Sequence, residues 1–195
     1  DQEIRDSKKG QFYITDPQRS LANNSAVYTQ RPTNAEFLQE WLALAMSGSG
    51  ERGIFNRGGL AKQLPERRLK LLRQKHAGYF SPDGNVIGPI GTNPCGEILL
   101  QSKQFCNLSE VVARAEDDEK SLLRKIRAAT ILGTYQSSLT NFPYLSKEWG
   151  GHCEEERLLG VSITGQWDCP VIRQPEVLER LRKEAIKTNQ VYAKR

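Results

Sequence analysis

The chain has 195 residues, enough for one sizeable core, with 37% apolar and 26% charged residues and a net charge of +5. Its apolar runs are only a few residues long, which excludes a membrane-spanning helix. The charged start, residues 1–10, has the pattern of neither a signal peptide nor a transit peptide, and with no leading Met the chain is expected to be an excised internal segment.

In chain order, strand-like residues come first at 25–29. Thr33 and Glu36 then form a capping-box pattern, followed by Phe37, Leu38, Trp41, Leu42 and Ala45 at helical spacing. The glycines within residues 47–50 should end this helix, and a second strand-like piece lies at 53–56. Between residues 51 and 76, Arg52, Arg57, Lys62, Arg67, Arg68, Lys70, Arg73 and Lys75 face only Glu51 and Glu66, an excess of six that accounts for the net charge. A solvated basic helix from Pro65 to about Lys75, with Leu69 and Leu72 on one face, is one reading; a phosphate or nucleic-acid surface is the other. The lack of aromatic residues between Arg57 and Lys75 speaks against single-strand binding.

Residues 78–96 are too rich in Gly, Pro and Asn for a regular helix. The longest helical pattern, residues 117–139, stacks Leu122, Ile126, Ala129, Leu132 and Tyr135, and its acidic start suits a helix N-terminus. A short strand at 158–164 is bounded by Gly165, and Pro175 opens a last amphipathic helix through Leu178, Leu181 and Ile186. This alternation predicts an α/β architecture, with residues 1–195 as a single partial domain.

Cys95, Cys106, Cys153 and Cys169 are too few for a disulfide scaffold and show no zinc-ligand spacing. No metal site is expected, and the chain reads as cytoplasmic. Cys153 follows Gly150, Gly151 and His152 in an expected loop, and Cys169 precedes Pro170; both read as structural or incidental.

The segment richest in chemistry is Gly-Thr-Asn-Pro-Cys-Gly-Glu-Ile at 91–98, followed by Phe-Cys-Asn-Leu-Ser-Glu at 105–110. Pro94 restrains Asn93 to extended backbone. On an extended segment Asn93, Cys95 and Glu97 project from one side, an amide, a thiol and a carboxylate. Three readings stand at this point. Cys95 and Cys106 are small buried hydrophobes; or Cys95 is a thiolate nucleophile, which needs an imidazole that His76 and His152 do not supply in a recognisable setting; or the thiol carries radical chemistry and Glu97 moves a proton.

The 93–98 string together with Phe-Cys-Asn-Leu at 105–108 resembles the finger-loop signature of ribonucleotide reductases, and Pro94 before the cysteine is similar to the adenosylcobalamin-dependent class. Further resemblance lies in Arg-Ser-Leu-Ala-Asn-Asn-Ser-Ala-Val-Tyr at 19–28 and Ser-Gly-Glu-Arg-Gly-Ile-Phe-Asn-Arg at 49–57. The string Arg-Leu-Leu-Gly-Val-Ser-Ile-Thr-Gly-Gln-Trp-Asp-Cys at 157–169 is similar to the monomeric triphosphate-reducing branch. The resemblance implies a thiyl radical at Cys95, a proton acceptor at Glu97, a substrate hydrogen bond from Asn93 and a reducing thiol at Cys106, whose partner cysteine lies outside this chain. It also implies a ten-stranded α/β barrel, of which this chain supplies part of the second half around a central cysteine-bearing finger loop.

Implied partners are a ribonucleoside triphosphate substrate, a nucleotide effector, thioredoxin as reductant and the remainder of the reductase chain. Adenosylcobalamin is the implied cofactor, its binding segments mostly elsewhere; the 195 residues alone are expected to be inactive and to bind neither membrane nor nucleic acid. A glycyl-radical reductase on the same barrel and a non-catalytic basic binding module are the alternatives.

Overall fold

The computed structural model describes residues 2–21, 24–48, 50 and 52–194, the side chains of Gln2 and Arg5 excepted. The chain divides into two units, Asp1–Ser102 and Lys103–Arg195.

In the first unit two short helices, α1 (Gln2–Asp6) and α2 (Phe12–Thr15), precede β1 (Asn24–Tyr28), α3 (Asn34–Ser47) and β2 (Arg52–Asn56). β1 and β2 are parallel, Asn24 opposite Arg52 and Tyr28 opposite Asn56, so α3 is a crossover helix, the connection parallel strands require. Its start follows the capping-box pattern: Glu36 N donates to Thr33 Oγ1 at 3.3 Å and Thr33 N donates to Glu36 Oε2 at 2.8 Å. It ends where Gly48 turns left-handed at φ 61°, a backbone that favours glycine; Ser49, in the expected break, lies outside the described residues, as do Glu51 and, in the 19–28 string, Ala22 and Asn23.

The apolar stripe of α3 is not its buried face. Leu38 is 63% and Trp41 55% exposed, whereas Glu40 is 2% exposed. Glu40 Oε1 accepts from Arg52 Nη2 at 2.6 Å and Nε at 3.0 Å. Two further cations of the basic stretch also serve the fold: Arg57 Nε donates to Ile90 O at 2.8 Å, and the Arg73 guanidinium lies over the Phe80 ring. The basic helix α4 (Glu66–Lys75) follows Pro65 and buries Leu72. Leu72 joins Leu60, Leu64, Val86 and Ile90 in the core of this unit. That core anchors an antiparallel hairpin of β3 (Ile90–Thr92) and β4 (Leu99–Gln101), Ile90 opposite Gln101.

The second unit runs β5 (Asn107–Val112), α5 (Glu119–Ser137), α6 (Lys147–Glu156), β6 (Leu159–Thr164) and α7 (Pro175–Tyr192). β5 and β6 are parallel, Asn107 opposite Leu159 and Val112 opposite Thr164. The N-terminus of α5 is capped by Asp118, whose Oδ1 accepts from Ser121 N at 2.7 Å. Val111, Leu122, Ile126, Ala129, Cys169, Ile172, Val177 and Leu181 form the core between strands and helices. Beyond Ala129 the buried face of α5 departs from the expected stripe. Leu132 and Tyr135 are exposed, and Thr130, Gly133, Thr134 and Ser137 are buried. Close approach explains this: a Cβ on Gly133 would stand 3.2 Å from Ser109 Oγ and 3.4 Å from Leu159 Cδ1, leaving no room for a large side chain. On α7, likewise, Val177, Leu181 and Thr188 are buried, while Leu178 and Ile186 stay exposed.

Among the described residues no helix is long and apolar enough to cross a membrane, and no group of three or more His, Cys, Asp or Glu is placed to hold a metal ion.

Candidate functional site

Cys95 stands at the tip of the β3–β4 hairpin. The root is fixed by fully buried Ile90, by the Arg57 contact to its carbonyl, and by Ser102 N donating to Pro89 O at 2.9 Å. From this base the chain makes a tight turn rather than the extended run expected from sequence. Gly96 N donates to Asn93 O at 3.0 Å, so Pro94 and Cys95 occupy the two central positions. Asn first, Pro second and Gly fourth is the residue order a β-turn favours, and Gly96 takes φ 87°, where a side chain is disfavoured. Immediately after Asn93 the chain reverses.

The turn brings the expected groups together by a different route. Asn93 N donates to Ile98 O at 3.1 Å and Ile98 N donates to Asn93 Oδ1 at 2.9 Å. With its oxygen engaged in the turn, the Asn93 amide presents Nδ2, which donates to Glu97 Oε1 at 2.6 Å. The amide and carboxyl thus meet beside the residue that carries the thiol. Cys95 and Glu97 are exposed and Asn93 is half-buried. An exposed thiol next to a hydrogen-bonded amide–carboxyl pair can meet a polar ligand from solvent, and Glu97 can exchange its bond to Asn93 for one to that ligand.

Cys106 belongs to the second unit, where it is half-buried and immediately precedes β5. Its neighbours are held by α6. Gln104 Nε2 donates to His152 O at 3.1 Å and to Glu156 Oε2 at 2.8 Å. Phe105 N donates to Cys153 Sγ at 3.4 Å, and its ring stacks on Trp149 with centroids 4.6 Å apart. Lys103 pairs with Glu148, and the ammonium, first by hydrogen bond and then by its charge, holds the Glu148 carboxyl below the usual range.

Cys153 is therefore a buried residue of α6 and not part of a loop. Gly150 and Gly151 have the composition of a helix break, yet both lie within α6. Gly150 allows close approach, since a Cβ there would lie 3.1 Å from Thr140 O. Cys169 is fully buried within the second core. Sequence reasoning missed α6 and its contacts to Gln104 and Phe105; the available signal was Trp149, Cys153 and Glu156 at helical spacing.

On β5, Ser109 and Val111 are buried against the helices, whereas Leu108, Glu110 and Val112 are exposed. By strand alternation Cys106 is in phase with the exposed set. None of the cavities of about 200, 600 and 420 Å³ is lined by Asn93, Cys95, Glu97 or Cys106.

Over 130 residues, 65% of its length, the chain is 30% identical to proteins named adenosylcobalamin-dependent ribonucleoside-triphosphate reductase from Lactobacillus delbrueckii subsp. bulgaricus and Lactobacillus leichmannii. The matched stretch spans 15% of the length of those relatives. No family model matches, and no solved structure matches. The chain is thus similar, distantly and over part of its length, to an oxidoreductase that reduces ribonucleoside triphosphates.

Proposed function

We propose that this chain is a catalytic segment of a cytoplasmic ribonucleoside-triphosphate reductase, within the second half of a ten-stranded α/β barrel whose finger loop is the β3–β4 hairpin. The observation that carries this reading is the Asn93–Glu97 hydrogen bond beside an exposed Cys95 on a built turn. The similarity to named reductases supports it as well. The two parallel strand pairs with helical crossovers suit an α/β barrel. The exposed face of β5, in phase with Cys106, suits a barrel interior.

In this reading Cys95 acts as a thiyl radical and takes the ribose 3′ hydrogen atom. S–H and activated ribose C–H bonds are close in strength, so the transfer is reversible. Glu97 takes the 3′-hydroxyl proton, the 2′-hydroxyl departs as water with a proton from the reducing thiols, and Glu97 gives its proton back to O3′ as the 2′ carbon is reduced. Acid–base help of this kind contributes on the order of 10²–10⁴ in rate. Asn93, its oxygen held by Ile98 N, turns its amide toward the sugar and orients it. Cys106 and a second thiol outside this chain supply two electrons and two protons and become a disulfide. The hydrogen atom then returns to C3′ and restores the thiyl. Thioredoxin or another dithiol reduces the disulfide, and a nucleotide effector acts on the parent enzyme.

Adenosylcobalamin would supply the initiating radical. By the resemblance, the segments that bind it lie mostly in other parts of the parent enzyme.

The test uses an intact reductase containing this chain. Cys95→Ser should abolish both nucleotide reduction and hydrogen exchange at the cofactor. Glu97→Gln should slow reduction by about 10²-fold or more with little change in substrate affinity. Cys106→Ser should stop multiple turnover with a dithiol and leave hydrogen exchange largely intact. Wild-type turnover by Cys106→Ser would remove its assigned role, and reduction by Cys95→Ser would end the reading.

A further inference from the structure

Residues 103–107 form a run in which every side chain but one is fastened to the same stretch of chain. Lys103 takes the left-handed backbone at φ 57° and pairs with Glu148. Gln104 and Glu156 are both buried, and Gln104 donates to Glu156 Oε2 and to His152 O. The Phe105 ring stacks on Trp149 and meets Phe142 edge-on at 5.0 Å, while its amide donates to Cys153 Sγ. Asn107 Nδ2 donates to Leu158 O at 3.0 Å. Cys106 is the exception: among the described residues no such hydrogen bond or ring contact is made by its side chain, and its thiol is free.

A left-handed lysine and a buried glutamine–carboxyl contact are costly features unless the surroundings hold them. They are concentrated on the residues flanking one half-buried thiol. Thiol–disulfide exchange needs the attacking sulfur held close to, and aligned with, the sulfur it attacks. Fixing the backbone on both sides of a cysteine while leaving its Cβ–Sγ bond unencumbered is the arrangement that serves this.

We propose that α6 is a positioning element for Cys106, with Gln104 and Glu156 as positioning residues that act through that thiol, and with Trp149 as the support for Phe105. This rests on the reading of Cys106 as an exchanging thiol.

The test labels the 195-residue chain with iodoacetamide and follows each cysteine by peptide mass spectrometry, Cys95 in the other unit serving as internal reference. Gln104→Leu should raise labelling of Cys106 relative to Cys95 about tenfold, the factor expected for losing a hydrogen bond to a carboxyl group. Glu156→Gln, whose side-chain oxygen still accepts from Gln104, should label as wild type, whereas Glu156→Leu should match Gln104→Leu. Trp149→Leu is read in parallel. If one variant loses its fold, seen as labelling of buried Cys153 and Cys169, the other decides. Cys106 labelling that stays at the wild-type ratio in every folded variant overturns the proposal. So does equal behaviour of Glu156→Gln and Glu156→Leu. In an intact reductase containing this chain, Gln104→Leu should lower kcat with a dithiol about tenfold at unchanged KM for nucleotide. A reductase lacking nucleotide reduction altogether would defeat the functional reading while leaving the labelling contrast intact.

Discussion

The two parallel strand pairs share one device and differ in how their helices are finished. After β2, a Cβ on Gly58 would collide with the carbonyl oxygen of Thr29, the residue following β1. After β6, a Cβ on Gly165 would collide with the carbonyl oxygen of Ala113, the residue following β5. In both units the chain therefore leaves the second strand across the end of the first, through a glycine with no room for a side chain. The helices then diverge. In the second unit α5 and α7 bury Leu122, Ile126 and Leu181, while in the first unit α3 buries Glu40 and leaves Phe37, Leu38, Trp41, Leu42 and Met46 exposed. A shared strand–helix–strand grammar fixes where a helix crosses; it does not fix which face of that helix is used.

The largest effect should come from breaking the buried ion pair between α3 and β2 in the first unit. Glu40→Ala leaves the Arg52 guanidinium buried without its carboxylate, a loss of about 3–5 kcal/mol for a buried pair broken on one side. The double replacement Glu40→Leu with Arg52→Met should recover most of it, since well-packed apolar residues replace such pairs at little cost. Urea titration with hydrogen exchange resolved by unit measures both. A single-variant loss below about 1 kcal/mol would mean that the pair is not what holds α3 to β2.

A second contrast sharpens the comparison of helix faces. Leu181→Ala removes a fully buried side chain of α7 and should cost about 2–5 kcal/mol in the second unit. Leu38→Ala, on the exposed stripe of α3, should stay within about 0.5 kcal/mol. Equal costs would show that the α3 stripe is covered in solution.

These differences mark what could be read from the residues. The capping box at Thr33, the glycine stop at Gly48, the end of β6 before Gly165 and the helix start at Pro175 are local signals, and each is found where expected. The buried faces of α3, α5 and α7 were less legible, because periodicity identifies an apolar stripe without saying whether this chain covers it. Close approach at Gly133 favoured Thr130 and Thr134 over Leu132, a fact of packing between residues far apart in sequence. At the site, Asn93, Cys95, Glu97 and Cys106 stood out by type and spacing. The turn at Pro94 and Cys95 was missed because the restriction of Asn93 by proline was extended past the proline itself. The anchoring of Phe105 by Cys153 and Trp149 was hidden behind Gly150 and Gly151, a pair with the composition of a loop although both are helical and Gly150 packs closely against Thr140 O.

A smaller loss than that of Leu181→Ala separates the units by pH. Asp117 in the second unit is held down to about 2, first by its hydrogen bond to Lys125 at 2.5 Å, with burial opposing and Ser121 and the Arg114 amide assisting. A carboxyl whose folded value lies below its ordinary 3.8 contributes stability that is complete above that value and disappears as pH falls toward 2. With Lys125 partly exposed and screened, the contribution should be on the order of 1–2 kcal/mol. Asp117→Asn should therefore lower second-unit stability at pH 7 by that amount and flatten its dependence between about pH 4 and 2, with the first unit unchanged. Hydrogen exchange across α5 measured at pH 7 and pH 3 checks it. An Asp117→Asn variant that keeps the wild-type acid slope would assign the acid sensitivity of this unit to other carboxyls, such as Glu119, lowered by its bond to Arg180.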